Sequence, residues 1–194
     1  MITNKFQKFL QLVADNKLLF FTVIFVVVAI LGRFVVHLPN FTPIGALALF
    51  AGFYLPKRYA VILPIAVMFV CDLFIGFYNP AVMLVVYGSF IGITLAVGLL
   101  KKHRSALVIG GATLASSLVF FLTTNFAVWA FANYYEHTLA GLLYCFTLAL
   151  PFLKYSLMGD FFWVAIFFGS YAYYVLREKR SLPLGDLQAV TVKI

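Results

Sequence analysis

Residues 18–32 read LLFFTVIFVVVAILG, with neither a charge nor a proline, and apolar runs of similar length recur along the chain. A run this long is more than a soluble domain can hide. In the hydrocarbon of a bilayer every backbone N–H and C=O must be paired internally, which leaves only helices or a closed barrel as spanning structures. Barrel strands alternate apolar and polar residues, and these runs do not alternate, so helices are expected. The bulk composition agrees: 64% of residues are hydrophobic, 10% are charged, and the mean hydropathy is +1.05. The expected fold is an all-α, polytopic membrane protein of about six transmembrane helices in one domain.

Apolar runs bounded by Pro, Asn and Lys/Arg predict helices over 18–37, 42–55, 59–77, 80–100, 105–132 and 153–176. The second falls short of the roughly 20 residues a perpendicular span needs, so it is a partial span or a helix packed inside the protein. Residues 138–150, TLAGLLYCFTLAL, are also too short to cross and read as an outer-surface helix or re-entrant cap ending at Pro151. Residues 1–17 read as an amphipathic cytoplasmic segment, 18–176 as the transmembrane domain and 177–194 as a cytoplasmic tail. The run after Lys17 is too long for a signal-peptide core, so it is expected to be retained as the first span.

The formal charge of +8 does not form the stripe or patch that nucleic acid selects. Lys5, Lys8 and Lys17 precede the first run, Lys57 and Arg58 follow the second, Lys101, Lys102 and Arg104 follow the fourth, and Arg177, Lys179 and Arg180 follow the sixth. With six spans all of these fall on one side, whereas the loops near Asn40, near Asn79 and Pro80, and at 133–138 hold no Lys or Arg. Cytoplasmic loops keep positive charge, so both termini are expected inside. Trp129, Tyr134 and Tyr135 sit where an outer aromatic belt belongs.

Ionisable groups inside a membrane are costly, and each is a candidate functional residue. Arg33, Asp72 and Asp160 are all placed in the outer half. The plain alternative is an internal salt bridge from Arg33 to Asp72 or Asp160. At the same level lie His37, Asn40, Asn79, Asn125, Glu136 and His137. Asn40 and Asn79 stand at helix boundaries near proline and suit caps or turns as well as a ligand. Asn125, inside a span beside Thr123 and Thr124, needs a neighbouring helix or a ligand for its amide. Cys71 and Cys145 show no metal-ligand spacing. Cys71 is either a small buried hydrophobe or, beside Asp72 and the GFYNP turn, a thiolate ligand for a soft or borderline metal carried by a solute. Cys145 reads as packing. Hydrolase, zincin and phosphate-loop motifs are missing, as is a repeated filter, so a small-molecule binding protein or transporter is favoured over an enzyme or channel.

The strings GRFVVHLPNFTPIGALALFAGFYLP, CDLFIGFYNPAVMLVVYG, TTNFAVW and ALPFLKYSLMGDFFW, spread over residues 30–170, resemble a family of small bacterial six-helix proteins akin to the substrate-binding S components of energy-coupling-factor (ECF) transporters. Cys71 in VCDLFIGF is similar to the cysteine marking a branch of that group, the BtuM-type cobalamin transporters. The resemblance implies vitamin uptake across the bacterial cytoplasmic membrane, with cobalamin (vitamin B12) as bound ligand and Cys71 as the ligand to its cobalt. Arg33, His37, Asp72, Asn79, Asn125 and Asp160 are then the expected ligand-binding residues. No intrinsic cofactor is expected, and partners reduce to the solute, membrane lipid and, where transport is not solitary, an ECF energising module. The small-xxx-small pair Ala48 and Gly52 is the nearest thing to a docking signature.

Three other readings stand beside cobalamin uptake. One is an S-component-like transporter for another small vitamin or metal-containing ligand. Another is an intramembrane corrinoid-processing enzyme using the thiolate to remove the axial ligand of cobalt. The last is a structural or assembly subunit.

Overall fold

The computed structural model describes residues 16–35 and 40–181, and every regular element among them is a helix: α1 Lys17–Val35, α2 Ile44–Tyr54, α3 Lys57–Ile75, α4 Pro80–Leu99, α5 Ala106–Phe131 and α6 Leu139–Ser181. The expected amphipathic segment, His37 and most of the expected tail lie outside the described residues. All but α2 are long and apolar enough to cross a membrane, so the chain is an all-α, multi-pass membrane protein. Successive helices run up and down. Arg33 meets Asp72 and Asn79 meets the Phe131 carbonyl at one end. At the other, Lys17 pairs with Glu178 and Lys101 donates to the Leu55 carbonyl.

Helix α2 occupies the middle. Nine of its residues, including Ala46, Leu47, Ala48, Phe50 and Phe53, are buried, and it packs against α1, α3, α4, α5 and α6. Its apolar character all round is what a helix with no outward face requires. Of the two expectations for this run, an internal helix is the one realised. Its small residues permit the close approach: a Cβ on Gly52 would stand 2.9 Å from the Thr94 carbonyl oxygen of α4. The pair Ala48 and Gly52 is therefore used inside the bundle.

Around α2 the outer helices divide their faces. In α1, Thr22, Phe25, Ala29 and Gly32 turn inward at helical spacing, while Phe20, Ile24, Val27 and Leu31 are exposed on the face a bilayer would cover. Phe25 stacks on Phe167 of α6, with ring centroids 4.1 Å apart and planes 5° from parallel.

Several boundaries differ from expectation, among them the end of α6 at Ser181, where the sequence predicts residue 176. Helix α3 stops at Ile75, short of residue 77, because Gly76 takes φ +106°, a conformation that L side chains rarely adopt. The larger correction concerns residues 138–150, which form no separate cap. They are the first turns of α6, which continues through Pro151 for 43 residues. Proline removes one N–H from the ladder, and a spanning helix held by its neighbours tolerates that loss. Pro64 is accommodated inside α3 in the same way.

The tight seam between α2 and α4 is testable. Gly52→Ala is expected to lower stability, since overpacking costs about 1–3 kcal/mol against a helix-propensity gain of at most about 1 kcal/mol, and the opposing atom is backbone. Gly110→Ala in α5, where an added Cβ meets nothing within 4 Å, is expected to be neutral or stabilising. Thermal unfolding of both variants in detergent checks the contrast.

Candidate functional site

Because α2 begins only at Ile44 and is flanked by longer helices, space remains above its first turn. A cavity of about 570 Å³ lies there, within the rough range of 300–1,000 Å³ typical of small-molecule sites. Ile44 and Gly45 of α2 line it together with Arg33 of α1, Met68 and Ile75 of α3, Val82, Val86 and Phe90 of α4, Phe120, Thr124 and Asn125 of α5, and Phe152, Ser156 and Asp160 of α6. Asn40, with φ 59°, Thr42 and Tyr78 come from the connecting segments.

The two buried carboxylates are held differently. Asp72, 1% exposed, accepts from Arg33 Nη2 at 2.5 Å and from the Tyr87 hydroxyl at 2.7 Å, and Arg33 also reaches Met68 Sδ through Nη1. This realises the expected ion pair and ties α1, α3 and α4 together. Asp72 is one turn behind the wall, while the Arg33 side of the pair borders the cavity. Asp160 faces the cavity directly. Its Oδ2 accepts from the Ser117 hydroxyl at 2.6 Å, and Oδ1 lies so close to Gly45 that a Cβ there would collide with it. Glycine at 45 thus admits the carboxylate to the first turn of α2, the positive end of that helix. Among the described residues Asp160 has no ion-pair partner.

The remaining candidates separate. Asn125 lines the cavity, with half its amide used inside α5, where Nδ2 donates to the Phe121 carbonyl at 2.8 Å. Asn79 caps α4, its oxygen accepting from Ala81 and Val82 and its nitrogen donating to Phe131. It performs the cap and turn role and does not line the cavity. Cys71 is fully buried in the core cluster, away from the cavity lining. Three residues before it stands Met68 and four after it Ile75, both lining residues, so the thiol lies on the same face of α3 as the wall but is covered by its neighbours. Cys145 is 2% exposed, with its thiol 3.5 Å from the Asn125 carbonyl, consistent with packing. His137 sits edge-on to Trp129, whose Nε1 donates to the Glu136 carbonyl at 2.9 Å, so both residues serve the loop that caps α5.

Tyr87 and Ser117 complete the two carboxylate clusters and were not singled out from sequence. A tyrosine or serine inside an apolar run signals a need for a partner, but not which partner. At the mouth, burial pushes the Tyr78 hydroxyl up to about 12, with the charge of Asp72 adding and Arg33 opposing. It stays a neutral donor at any physiological pH.

Removing one partner of a buried ion pair costs about 3–5 kcal/mol, because a charge is left uncompensated. Asp72→Leu and Arg33→Met are each expected to destabilise strongly, and the double variant much less than their sum. Tyr87→Phe is expected to cost about 1.5–3 kcal/mol, the range for a hydrogen bond to a charged group. Unfolding in mixed micelles, analysed as a double-mutant cycle, measures these differences.

No curated protein and no solved structure matches this chain. One family profile matches residues 14–183, covering all six helices, and its description is "Family of unknown function". The chain therefore belongs to DUF6580, a family defined over the same helical body that builds the cavity.

Proposed function

We propose that this protein binds a vitamin-like solute in the cavity above α2 and carries it across the cytoplasmic membrane of a bacterium. The observation behind the reading is the cavity itself: about 570 Å³ of space inside a multi-pass bundle, walled by aliphatic and aromatic side chains and marked by Arg33, Asn125 and Asp160. Convergent polar groups at membrane depth are costly unless they serve each other or a ligand, and these three project from different helices into one space. Apart from Arg33 and Lys154, the described Lys and Arg residues gather at the opposite end of the bundle. By the positive-inside rule the cavity opens outward and both termini are cytoplasmic. A reporter active only outside the cell should work when fused in residues 133–138 and fail in 101–104; the reverse pattern would invert the orientation.

Cobalamin is the favoured substrate, on the resemblance of the sequence strings and on the place of Cys71 behind the wall between Met68 and Ile75. A corrinoid overfills this volume, so its entry requires the wall to open and uncover the thiol, which then gives up its proton to solvent and, as thiolate, takes the place of an axial ligand released from cobalt. Arg33, Asn125 and Asp160 are left to address the peripheral amides, since Asp72 and Asn79 are already bonded within the protein. Full burial of Cys71 favours a second reading, in which a smaller vitamin fits the cavity as it stands and the cysteine is packing.

Incubation with cyanocobalamin, removal of free ligand and an absorption spectrum separate the two. The first reading expects retained corrinoid with a shifted spectrum, the shift lost in Cys71→Ser and retention weakened about tenfold in Asp160→Asn, the size of one hydrogen bond to a charged group. Corrinoid retained without any dependence on Cys71 removes the thiolate from the site. No retention at all leaves the smaller solute.

A further inference from the structure

The short central helix leaves space below its last turn as well as above its first. A second cavity, of about 290 Å³, lies at the basic end, between Gly52 of α2, Ala60 at the start of α3, and Thr94 and Leu99 of α4, with Lys57 and Lys101 beside it. It shares no lining residue with the cavity of the proposed function.

Among the described residues two buried side-chain polar atoms lack a partner, Trp163 Nε1 and Thr94 Oγ1, and Thr94 is the one that lines this cavity. Thr22, Thr113, Thr124 and Thr147 each donate to the carbonyl one turn earlier in their own helices, the usual way a threonine is satisfied in an apolar helix. Thr94 is 1% exposed, lines this cavity, and its hydroxyl has no partner among the described residues. A buried hydroxyl left unbonded carries a desolvation cost, which a ligand atom would recover.

The charges around it have one sign. Lys57 is exposed and forms no ion pair among the described residues. Lys101 donates to the Leu55 carbonyl. Helix α3 starts here after Pro56 with no side-chain cap, and its first internal bond is that of the Ala60 N–H to the Pro56 carbonyl. The N–H groups of Lys57, Arg58 and Tyr59 therefore head the helix, an arrangement that favours an anion. The rest of the cavity is apolar. An anion beside an apolar hole, at the level of a membrane surface, has the chemistry of an anionic phospholipid.

We propose that this cavity is a binding site for an anionic phospholipid of the cytoplasmic leaflet. The headgroup phosphate is held by Lys57, Lys101 and the first turn of α3, and a glycerol-ester oxygen accepts from Thr94 while the start of an acyl chain fills the space beside Gly52 and Leu99. Basic pockets between spanning helices bind such headgroups in general. The proposal is independent of which solute the first cavity takes.

Native mass spectrometry of the full chain, released from nanodiscs containing equal phosphatidylglycerol and phosphatidylcholine, tests it. Phosphatidylglycerol is expected to be retained preferentially. Lys57→Gln with Lys101→Gln is expected to weaken retention roughly 30-fold, taking about fivefold per lysine near a membrane surface, and Thr94→Val to weaken it about tenfold. Equal retention of the two lipids, or unchanged phosphatidylglycerol retention in these variants, overturns the proposal. Should the double variant fail to fold, Lys57→Gln alone, at an exposed position, carries the same comparison. Dodecyl phosphate is expected to displace the lipid and inorganic phosphate to fail. Equal displacement by both would leave an anion site and overturn the acyl part.

Discussion

Everything distinctive about this bundle depends on a helix that is too short for its surroundings. Helix α2 has 11 residues, about 16 Å at 1.5 Å per residue, whereas the hydrocarbon of a bilayer is about 30 Å thick. Placed at the periphery, such a helix would expose its unpaired end groups to lipid. Placed in the centre, it has the other helices as its solvent, and the length it lacks becomes enclosed space at each end. The two cavities are the geometric consequence, one above Ile44 and Gly45 and one below Gly52.

The same constraint explains where polar groups are admitted. At the top, Asp160 is received against Gly45 and bonded by Ser117, while Arg33, Asp72 and Tyr87 form a closed cluster that joins three helices. One carboxylate is thereby neutralised inside the protein and the other is presented to the cavity. At the bottom, the lysines and the uncapped start of α3 surround an apolar hole. The two cavities thus differ in character, the upper lined by both charge signs and the lower by the positive alone.

The thiol of Cys71 shows how spacing and exposure can point in different directions. Its position three residues from Met68 and four from Ile75 sets it on the cavity side of α3, yet it is covered completely. Uncovering the thiol requires movement of the α3 wall near the Arg33 and Asp72 cluster, which ties that same region to α1 and α4.

Unbroken apolar runs and the grouping of Lys and Arg determined the fold class, the number of helices and the pairing of their ends, because hydrocarbon forbids unsatisfied backbone whatever the tertiary arrangement. That Arg33 would pair with a carboxylate was legible for a similar reason, since isolated charges in a membrane must find each other, but the choice of Asp72 over Asp160 was not. Sequence did not reveal that residues 139–150 continue into α6, because Pro151 reads as a stop while its actual cost depends on neighbouring helices. Nor could it assign Tyr87 to Asp72 or Ser117 to Asp160, or show that Thr94 has no partner among the described residues. Those outcomes depend on helix rotation and depth, which a run of uniformly apolar residues such as α2 does not encode, and which only packing of the whole bundle decides.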